Sequence, residues 1–375
     1  MSTKARMMDR SGEDGARYLL EHVDIEVNHQ CNLSCRHCSA RAGRAIPAAG
    51  GLSIDDIRAV LHSAVPLGLR KIGLTGGEPL LEAEKLEEIA RFCLDELGMP
   101  VHMHSNGTLV TEKICGRGHG LSLFESVSVT FLGGDAETHD QLTQTSGSFK
   151  RAFEGACRIA AAGLPLTCYF IPMKGNCRGF LALGEALHGK GIRRIRVMKL
   201  APSGRARANY SETMPDANEL RSFEDGLSRL GDELSMQIEA GNCTRLSMPG
   251  LRILAGHDRC MSGLSRVHVN FRGEVFPCTA SSGVDELKLG NLRESGFDLK
   301  RVWVGSPLLK RVRCLKEAAL SGCERCSRIV KCYDTCMVSI VGTMSSGERR
   351  ACALFAVSEA HCVAPEARSC ASAAD

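Results

Sequence analysis

The chain has 375 residues, of which 43% are hydrophobic and 24% charged, and its formal net charge is +4. This composition is typical of a globular protein and excludes a disordered or collagen-like chain. The weak positive charge gives no indication of nucleic-acid binding. No apolar run is long enough for a signal peptide or a membrane span, so we expect a cytoplasmic protein with no membrane partner.

The 19 cysteines are the most unusual feature of the composition. Cytosolic thiols stay reduced, so a cysteine-rich cytosolic chain more often binds metal than forms disulfides. We therefore expect many of them to be metal ligands. Cys93, Cys115, Cys157 and Cys168 are exceptions, because they fall on predicted helices or strands, where free cysteine packs as a small apolar side chain.

Six short apolar segments typical of β-strands alternate with helical patterns between residues 23 and 205. The predicted strands are 23–28, 71–76, 100–105, 126–131, 165–172 and 194–200. The clearest helix covers 52–69, with Ser53 as N-cap and Asp56 in a capping-box position, and further helices are predicted at 82–97, 148–163 and 180–191. Six β-α repeats predict an α/β fold with a parallel sheet, either a barrel or doubly wound, with ligands at the carboxyl ends of the strands.

The pattern changes after residue 205. A bridging region with a helix at 219–234 leads to a turn-rich, cysteine-rich tail, which contains a predicted hairpin at 267–278 with Gly273 at its turn. Such a tail has few apolar residues, so metal is expected to stabilise it. The predicted organisation is an N-terminal extension (1–22), a barrel-forming domain (23–205), a bridging region (206–258), a cysteine-rich domain (259–365) and a C-terminal tail (366–375).

The segment "CNLSCRHC" places Cys31, Cys35 and Cys38 directly after the first predicted strand. A structural zinc ion normally takes four protein ligands, as does a four-iron cluster that only carries electrons. Three thiolates on such a cluster leave one iron open to a small-molecule ligand. The alternative is a zinc loop completed by His29 or His37.

This C-x3-C-x2-C loop resembles the cluster loop of radical S-adenosylmethionine (radical SAM) enzymes, with His37 in a position that is usually aromatic. The family's fold is a partial (β/α)6 TIM-like barrel. The resemblance implies a [4Fe-4S] cluster whose one-electron reduction cleaves SAM to methionine and a 5′-deoxyadenosyl radical. That radical abstracts hydrogen from unactivated carbon, and the protein positions the substrate.

Three further segments strengthen the resemblance. "TGGEP" at 75–79 is similar to the family's GGEP motif, which implies that SAM is held by Gly76, Gly77, Glu78 and Pro79, with the Glu78 carboxylate on the methionine amino group. "HSNGT" at 104–108 is similar to the TNG element, which implies contacts of Ser105 and Asn106 with the sugar or carboxylate of SAM. "MKLAPSGRA" at 198–206 resembles a PSGR stretch found near the adenine.

The tail resembles the SPASM domain, which follows the pattern C-x9-15-G-x4-C, C-x2-C-x5-C-x3-C and C. That resemblance implies two auxiliary [4Fe-4S] clusters, the first held by Cys260, Cys278 and Cys336 and the second by Cys323, Cys326, Cys332 and Cys352. The candidates for a fourth ligand of the first cluster are Cys243 and Cys314, or its iron is open, and Cys362 is an alternative to Cys352. Two zinc knuckles are the alternative to the clusters.

The chain departs from the family at the end of the fourth strand, where many relatives have "SLDG". Leu132 replaces the acidic residue there, and Asp135 is a partial substitute. His139 and Asp140 are expected to order the loop. No catalytic acid or base is predicted.

The function implied by these resemblances is oxidation of a ribosomally made peptide or protein at an unactivated carbon. The auxiliary clusters would accept an electron or coordinate the substrate. The alternatives are a radical SAM enzyme that acts on an aminosugar or nucleoside, and a non-catalytic iron-sulfur scaffold. Expected partners are a reductant such as flavodoxin or ferredoxin and a separate leader-peptide-binding protein, because only about 22 residues precede the first strand.

Overall fold

The computed structural model describes residues 18–44, 50–241, 260–316, 336–338 and 341, and these contain one ten-stranded sheet. The strands are β1 (His22–Glu26), β2 (Lys71–Thr75), β3 (Val101–Ser105), β4 (Ser126–Phe131), β5 (Leu166–Phe170), β6 (Arg194–Val197), β7 (Gln237–Ala240), β8 (Arg266–Val269), β9 (Glu274–Phe276) and β10 (Gly290–Asn291). The six predicted strands are therefore confirmed as β1 to β6, each within a few residues of the expected bounds.

The order across the sheet is β10-β9-β8-β1-β2-β3-β4-β5-β6-β7, and every pair from β8 through to β7 is parallel. From β1 to β7 the spatial order equals the chain order. A doubly wound sheet reverses its order at a switch point, whereas a barrel winds in one direction. The topology thus favours the barrel-type prediction over the doubly wound one.

The helices are α1 (Ile54–Ala64), α2 (Ala83–Asp95), α3 (Ala136–Thr143), α4 (Ser148–Ala161), α5 (Phe180–His188), α6 (Tyr210–Thr213), α7 (Ala217–Asp232), α8 (Leu299–Gly305) and α9 (Pro307–Lys316). The predicted helices correspond to α1, α2, α4, α5 and α7. The predicted capping box at the start of α1 is confirmed, because Ser53 and Asp56 exchange side-chain and backbone bonds. None of the helices in the described ranges is both long and apolar enough to cross a bilayer.

The two faces of the sheet differ in chemistry. Val23 and Ile25 of β1 are fully buried in the apolar core, while Asp24 and Glu26 alternate with them and face the other side, as strand geometry requires. The parallel strands β2 to β8 repeat this alternation. The helices therefore cover an apolar outer face, and the inner face of the sheet is polar.

Two side-chain contacts connect β8 of the tail to β1. Arg266 forms an ion pair with Asp24 at 2.6 Å, and the His268 ring contacts Glu26 at 3.0 Å. β8 and β9 form the predicted hairpin, and Gly273 has a positive φ of 83° at its turn. The parallel pairing of β8 with β1 was not predicted, and neither was β7, which lies inside the region expected to be a bridge.

Candidate active site

The three cysteines lie just past the carboxyl end of β1, at the edge of a cavity. Cys31, Cys35 and Cys38 are free thiols and all line this cavity. Burial raises the pKa of the Cys31 thiol to about 11, and burial together with the neighbouring thiols raises the pKa of Cys35 further. The Leu33 backbone N–H donates to the Cys31 sulfur at 3.4 Å. The loop thus presents to one cavity three thiols that must lose protons to bind metal.

The two nearby histidines differ in position. His29 stacks on Phe271 at 4.2 Å between ring centroids and faces Glu26 at 3.9 Å, on the side of β8. His37 lines the same cavity as the cysteines, and burial lowers its pKa to about 4. His29 is therefore engaged with other side chains, whereas His37 is on the side of the cysteines.

The glycines of "TGGEP" lie against the chain just before the cysteines. The Gly77 N–H donates to the Asn28 carbonyl at 3.1 Å and the Glu78 N–H to the Gln30 carbonyl at 2.8 Å. A Cβ on Gly77 would lie 2.1 Å from the Gln30 oxygen, and one on Gly76, whose φ is 158°, would lie 2.5 Å from the Asn28 side chain. The close approach that requires glycine is therefore to the protein's own backbone.

Glu78 joins this motif to "HSNGT". Its side chain has no exposed surface, and its carboxylate accepts bonds from the Ser105 hydroxyl (2.8 Å), the Asn106 N–H (2.8 Å) and the Leu80 N–H (3.1 Å). Burial raises the pKa of Glu78, and these three bonds oppose the rise. The structure thus brings together the predicted SAM-contacting residues that follow two neighbouring strands. The Glu78 carboxylate, however, forms its hydrogen bonds with groups of the protein itself.

Asn106 extends this connection to the cysteine loop. Its side-chain amide donates to Asn32 at 2.8 Å and reaches the Cys31 sulfur at 3.7 Å. Asn32 in turn donates to Thr108 at 2.7 Å. The ends of β1, β2 and β3 therefore form one hydrogen-bonded unit around the cysteines.

The "PSGR" stretch packs on the same loop. Arg205 donates to the carbonyls of Cys35 at 2.7 Å and Ala42 at 2.8 Å, and its backbone N–H donates to that of Cys38 at 3.0 Å. The resemblance placed this stretch near the adenine of SAM. The structure adds a contact with the cysteine loop that the sequence had not suggested.

The loop after β4 has no acidic residue facing the cavity. Leu132 lines the cavity, while Asp135 is exposed and caps α3 by accepting the Thr138 N–H at 2.8 Å. Asp140 accepts bonds from Gly147, Ser148 and Phe149, so it orders the loop as expected. Asp135 therefore does not replace the missing acid in this structure.

The cavity has a volume of about 1390 Å³ and extends from the cysteines along the inner face of the sheet. A TIM-barrel interior is normally filled with branched apolar side chains. Here the inward positions are polar and belong to residues that the sequence analysis had not singled out: His102, His104, Tyr169, Arg194, Arg196 and Glu239. This could have been read from the alternation of "VHMH" and "RIRV", in which every second residue is polar.

These inward side chains are paired with one another. His102 and His104 bond Ser126 and Ser128 on β4, at 2.6 and 2.5 Å, and burial lowers the pKa of both rings to about 4. Arg196 forms an ion pair with Glu239. The cavity thus offers neutral imidazoles and paired charges, a lining suited to a polar substrate.

In the tail, the structure describes three of the predicted cluster ligands. Cys260 and Cys336 are buried, and burial followed by the proximity of these two thiols raises the pKa of Cys278. The Cys260 and Cys336 thiols are thus both near enough to Cys278 to act on its charge. Cys243, Cys323, Cys326, Cys332, Cys352 and Cys362, and the side chain of Cys314, lie outside the described residues.

Three of the cysteines predicted to be structural are in the core. Cys93 and Cys168 are fully buried and Cys115 is also buried. Cys157 is only half-buried. Burial raises the pKa of Cys93 to about 12. Cys93, Cys115 and Cys168 therefore pack as small apolar side chains, as expected.

Comparison with known proteins is consistent with this geometry. Residues 25–175 match the family model of the radical SAM superfamily, and residues 260–327 match that of the SPASM iron-sulfur cluster-binding domain. The AdoMet-dependent heme synthase of Methanosarcina barkeri is 26% identical, over 77% of this chain and 83% of its own. The mycofactocin maturase MftC of Mycobacterium ulcerans is 25% identical, over 84% and 82%.

A solved structure shares the fold. Streptococcus suis SuiB bound to its precursor peptide SuiA superimposes with a TM-score of 0.64 at 18% identity, over 88% of this chain and 74% of that one.

Proposed function

Because the chain belongs to the radical SAM superfamily and carries a SPASM iron-sulfur domain, we propose that it oxidises a ribosomally made peptide or protein at an unactivated carbon. The observation that carries this proposal is the connection from Glu78 through Asn106 to the Cys31 sulfur at one large cavity. The two domains imply a [4Fe-4S] cluster, SAM and auxiliary clusters. A mycofactocin maturase and a structure with a precursor peptide among the matches favour a peptide over an aminosugar or nucleoside.

Cys31, Cys35 and Cys38 are the proposed ligands of the catalytic cluster. The donor set fits, because three free thiols line one cavity. When bound there, the cluster would supply the electron for reductive cleavage of SAM and so provide the radical that oxidises the substrate. The chain itself stabilises the thiolates, since the Leu33 N–H points at one sulfur and the Arg205 charge lowers the pKa of the other two thiols against the effect of burial.

SAM is proposed to bind beside the loop, on Gly76, Gly77, Glu78, Pro79, Ser105 and Asn106. Each carboxylate oxygen accepts about two hydrogen bonds. Oε1 of Glu78 already has two from Ser105 and Leu80, while Oε2 has one from Asn106. Oε2 therefore has room for one N–H of the methionine amino group. The primary role of Glu78 in this proposal is to hold the Ser105–Asn106 turn in position.

The tail is proposed to hold the first auxiliary cluster through Cys260, Cys278 and Cys336, with Cys243 as the candidate fourth ligand. Cys323, Cys326, Cys332 and Cys352 are proposed for the second. The mutual effect of the three described thiols supports the first set. A flavodoxin or ferredoxin as reductant, a separate leader-binding protein and a cytoplasmic location remain predictions from the sequence.

Cleavage of SAM tests the catalytic part. Anaerobically reconstituted protein with dithionite should release 5′-deoxyadenosine. Replacing Cys31, Cys35 and Cys38 together by Ala should abolish this release while about two clusters' worth of iron remains on the tail. Loss of all iron would contradict independent sites, and absence of cleavage in the fully loaded protein would contradict the enzyme assignment.

The heme synthase match makes heme formation a second candidate, because that relative is as similar in sequence as the maturase. Lys71, Arg194 and Arg196 line the inner cavity and suit a substrate with carboxylates. Incubation with the peptides encoded beside the gene and, separately, with a carboxylate-bearing iron porphyrin distinguishes the candidates. A mass loss in a peptide supports the proposal, whereas formation of heme from the porphyrin with unchanged peptides would replace it.

A further inference from the structure

Arg205 connects the turn after β6 to the cysteine loop. Its Nε donates to the Cys35 carbonyl at 2.7 Å and its Nη1 to the Ala42 carbonyl at 2.8 Å. Its backbone N–H donates to the Cys38 carbonyl at 3.0 Å. Carbonyls are the group that a guanidinium fork binds in fixed geometry. One residue thus holds the loop at three points, two of them at cluster cysteines.

The preceding residue brings the two segments together. Gly204 has a φ of 53°, and a Cβ there would lie 2.2 Å from the Cys38 carbonyl and 2.3 Å from that of Ser39. Only glycine permits this approach. On the other side of the turn, a Cβ on Gly283 of the tail would lie 2.4 Å from the Gly204 nitrogen and from the Ser39 oxygen. The turn at Gly204 is therefore in close backbone contact with the cysteine loop and with the tail.

The guanidinium of Arg205 lies beside the cysteine loop, since it bonds the Cys35 and Ala42 carbonyls. Among the residues that the structure describes, no carboxylate lies within ion-pair distance of Arg205, whereas Arg207 two residues on contacts Glu286 at 3.5 Å. The positive charge of Arg205 is therefore held against the loop that carries the cysteines.

We propose that Arg205 is a positioning residue for the catalytic cluster, which fixes the loop through the Cys35 and Ala42 carbonyls and favours the reduced state of the cluster through its charge. Added negative charge on an iron-sulfur group is stabilised by nearby cations and hydrogen bonds, which raise its potential. This inference rests on the proposed ligands Cys31, Cys35 and Cys38 and does not depend on the substrate.

The experiment compares the full chain, anaerobically reconstituted, with Arg205→Ala, Arg205→Lys and the control Arg207→Ala. The catalytic cluster is followed by the electron paramagnetic resonance signal that SAM perturbs, and the triple cysteine variant supplies the auxiliary background. Iron release to a chelator is measured in parallel, and the melting temperature of each iron-free protein reports on folding.

At a fixed solution potential, Arg205→Ala should have a ratio of reduced to oxidised cluster about tenfold lower than wild type, a change of about 59 mV for one electron. Its iron release should be at least about tenfold faster. Arg205→Lys restores the charge without the fork, so it should recover the reduced fraction and still release iron faster. Arg207→Ala should match wild type in both measurements.

A wild-type reduced fraction and release rate in Arg205→Ala would overturn the inference. If that variant holds no iron, the lysine variant decides: faster release with a recovered reduced fraction supports the role, and wild-type release refutes it. A different result would be a wild-type protein without the SAM-responsive signal that the triple cysteine variant is expected to lose. That result would overturn the proposed cluster site and this inference with it.

Discussion

Gly77 lies so close to the peptide before Cys31 that one added methyl group should displace the cysteine loop. In Gly77→Ala the new Cβ would lie 2.1 Å from the Gln30 oxygen, 2.5 Å from its carbonyl carbon and 2.8 Å from the His29 oxygen. All three are backbone atoms, so no side chain can rotate away. The Gln30 oxygen is also held by the Glu78 N–H at 2.8 Å.

The required movement can be worked out from these distances. Ordinary van der Waals contact begins at 3.4 Å, so the Gln30 carbonyl must retreat by about 1.3 Å, the difference from 2.1 Å. Overpacking of this kind costs about 1–3 kcal/mol. A misplacement of about 1 Å in a catalytic group can cost roughly 100-fold in rate. Because Cys31 follows Gln30 directly, we expect the rate of SAM cleavage to fall by about 100-fold or more.

The assay measures 5′-deoxyadenosine released with dithionite, together with iron content and urea unfolding of the iron-free protein. Gly231→Ala is the matched control, since nothing lies within 4 Å of its added Cβ and alanine is the better helix former in α7. That variant should cleave SAM at the wild-type rate. Wild-type cleavage and iron content in Gly77→Ala would refute the argument that the glycine is needed for this backbone contact.

Three further predictions concern stability, measured by urea unfolding of iron-free protein. Burial would raise the pKa of Glu26, but bonds from His268 and His29 lower it to about 2. Ionised Glu26 should therefore contribute roughly 3 kcal/mol to the free energy of unfolding above pH 4.5, and this contribution should be lost as the pH falls towards 2. Glu26→Gln should flatten the pH dependence of the free energy of unfolding over this range. Asp140→Asn should cost about 1–3 kcal/mol, because a half-buried acceptor of three bonds is weakened; an unchanged free energy of unfolding would contradict this. Ser53→Ala should cost about 1 kcal/mol through loss of the α1 cap, with no change in SAM cleavage.

Much of the fold could be predicted because its signals are local. Apolar alternation marked β1 to β6, and the Ser53 cap marked the start of α1. β7 is only four residues long, with exposed Gln237 and half-buried Glu239, so it has no apolar run to reveal it. The pairing of β8 with β1 joins residues more than 240 positions apart and depends on ion pairs that no local pattern reports.

The candidate site likewise has features that the sequence reveals and features that only the fold reveals. The sequence by itself determined the three cysteines, the "TGGEP" and "HSNGT" segments and their order at strand ends, because cluster ligands and tight turns need particular residue types at fixed spacings. Only the tertiary structure decided that Glu78 turns into the protein, that Arg205 reaches Cys35 across 170 positions, and that the polar faces of the strands enclose one cavity. The physical reason is that local geometry fixes which way each side chain of a strand points, whereas its partner is set by the packing of segments that are distant in sequence.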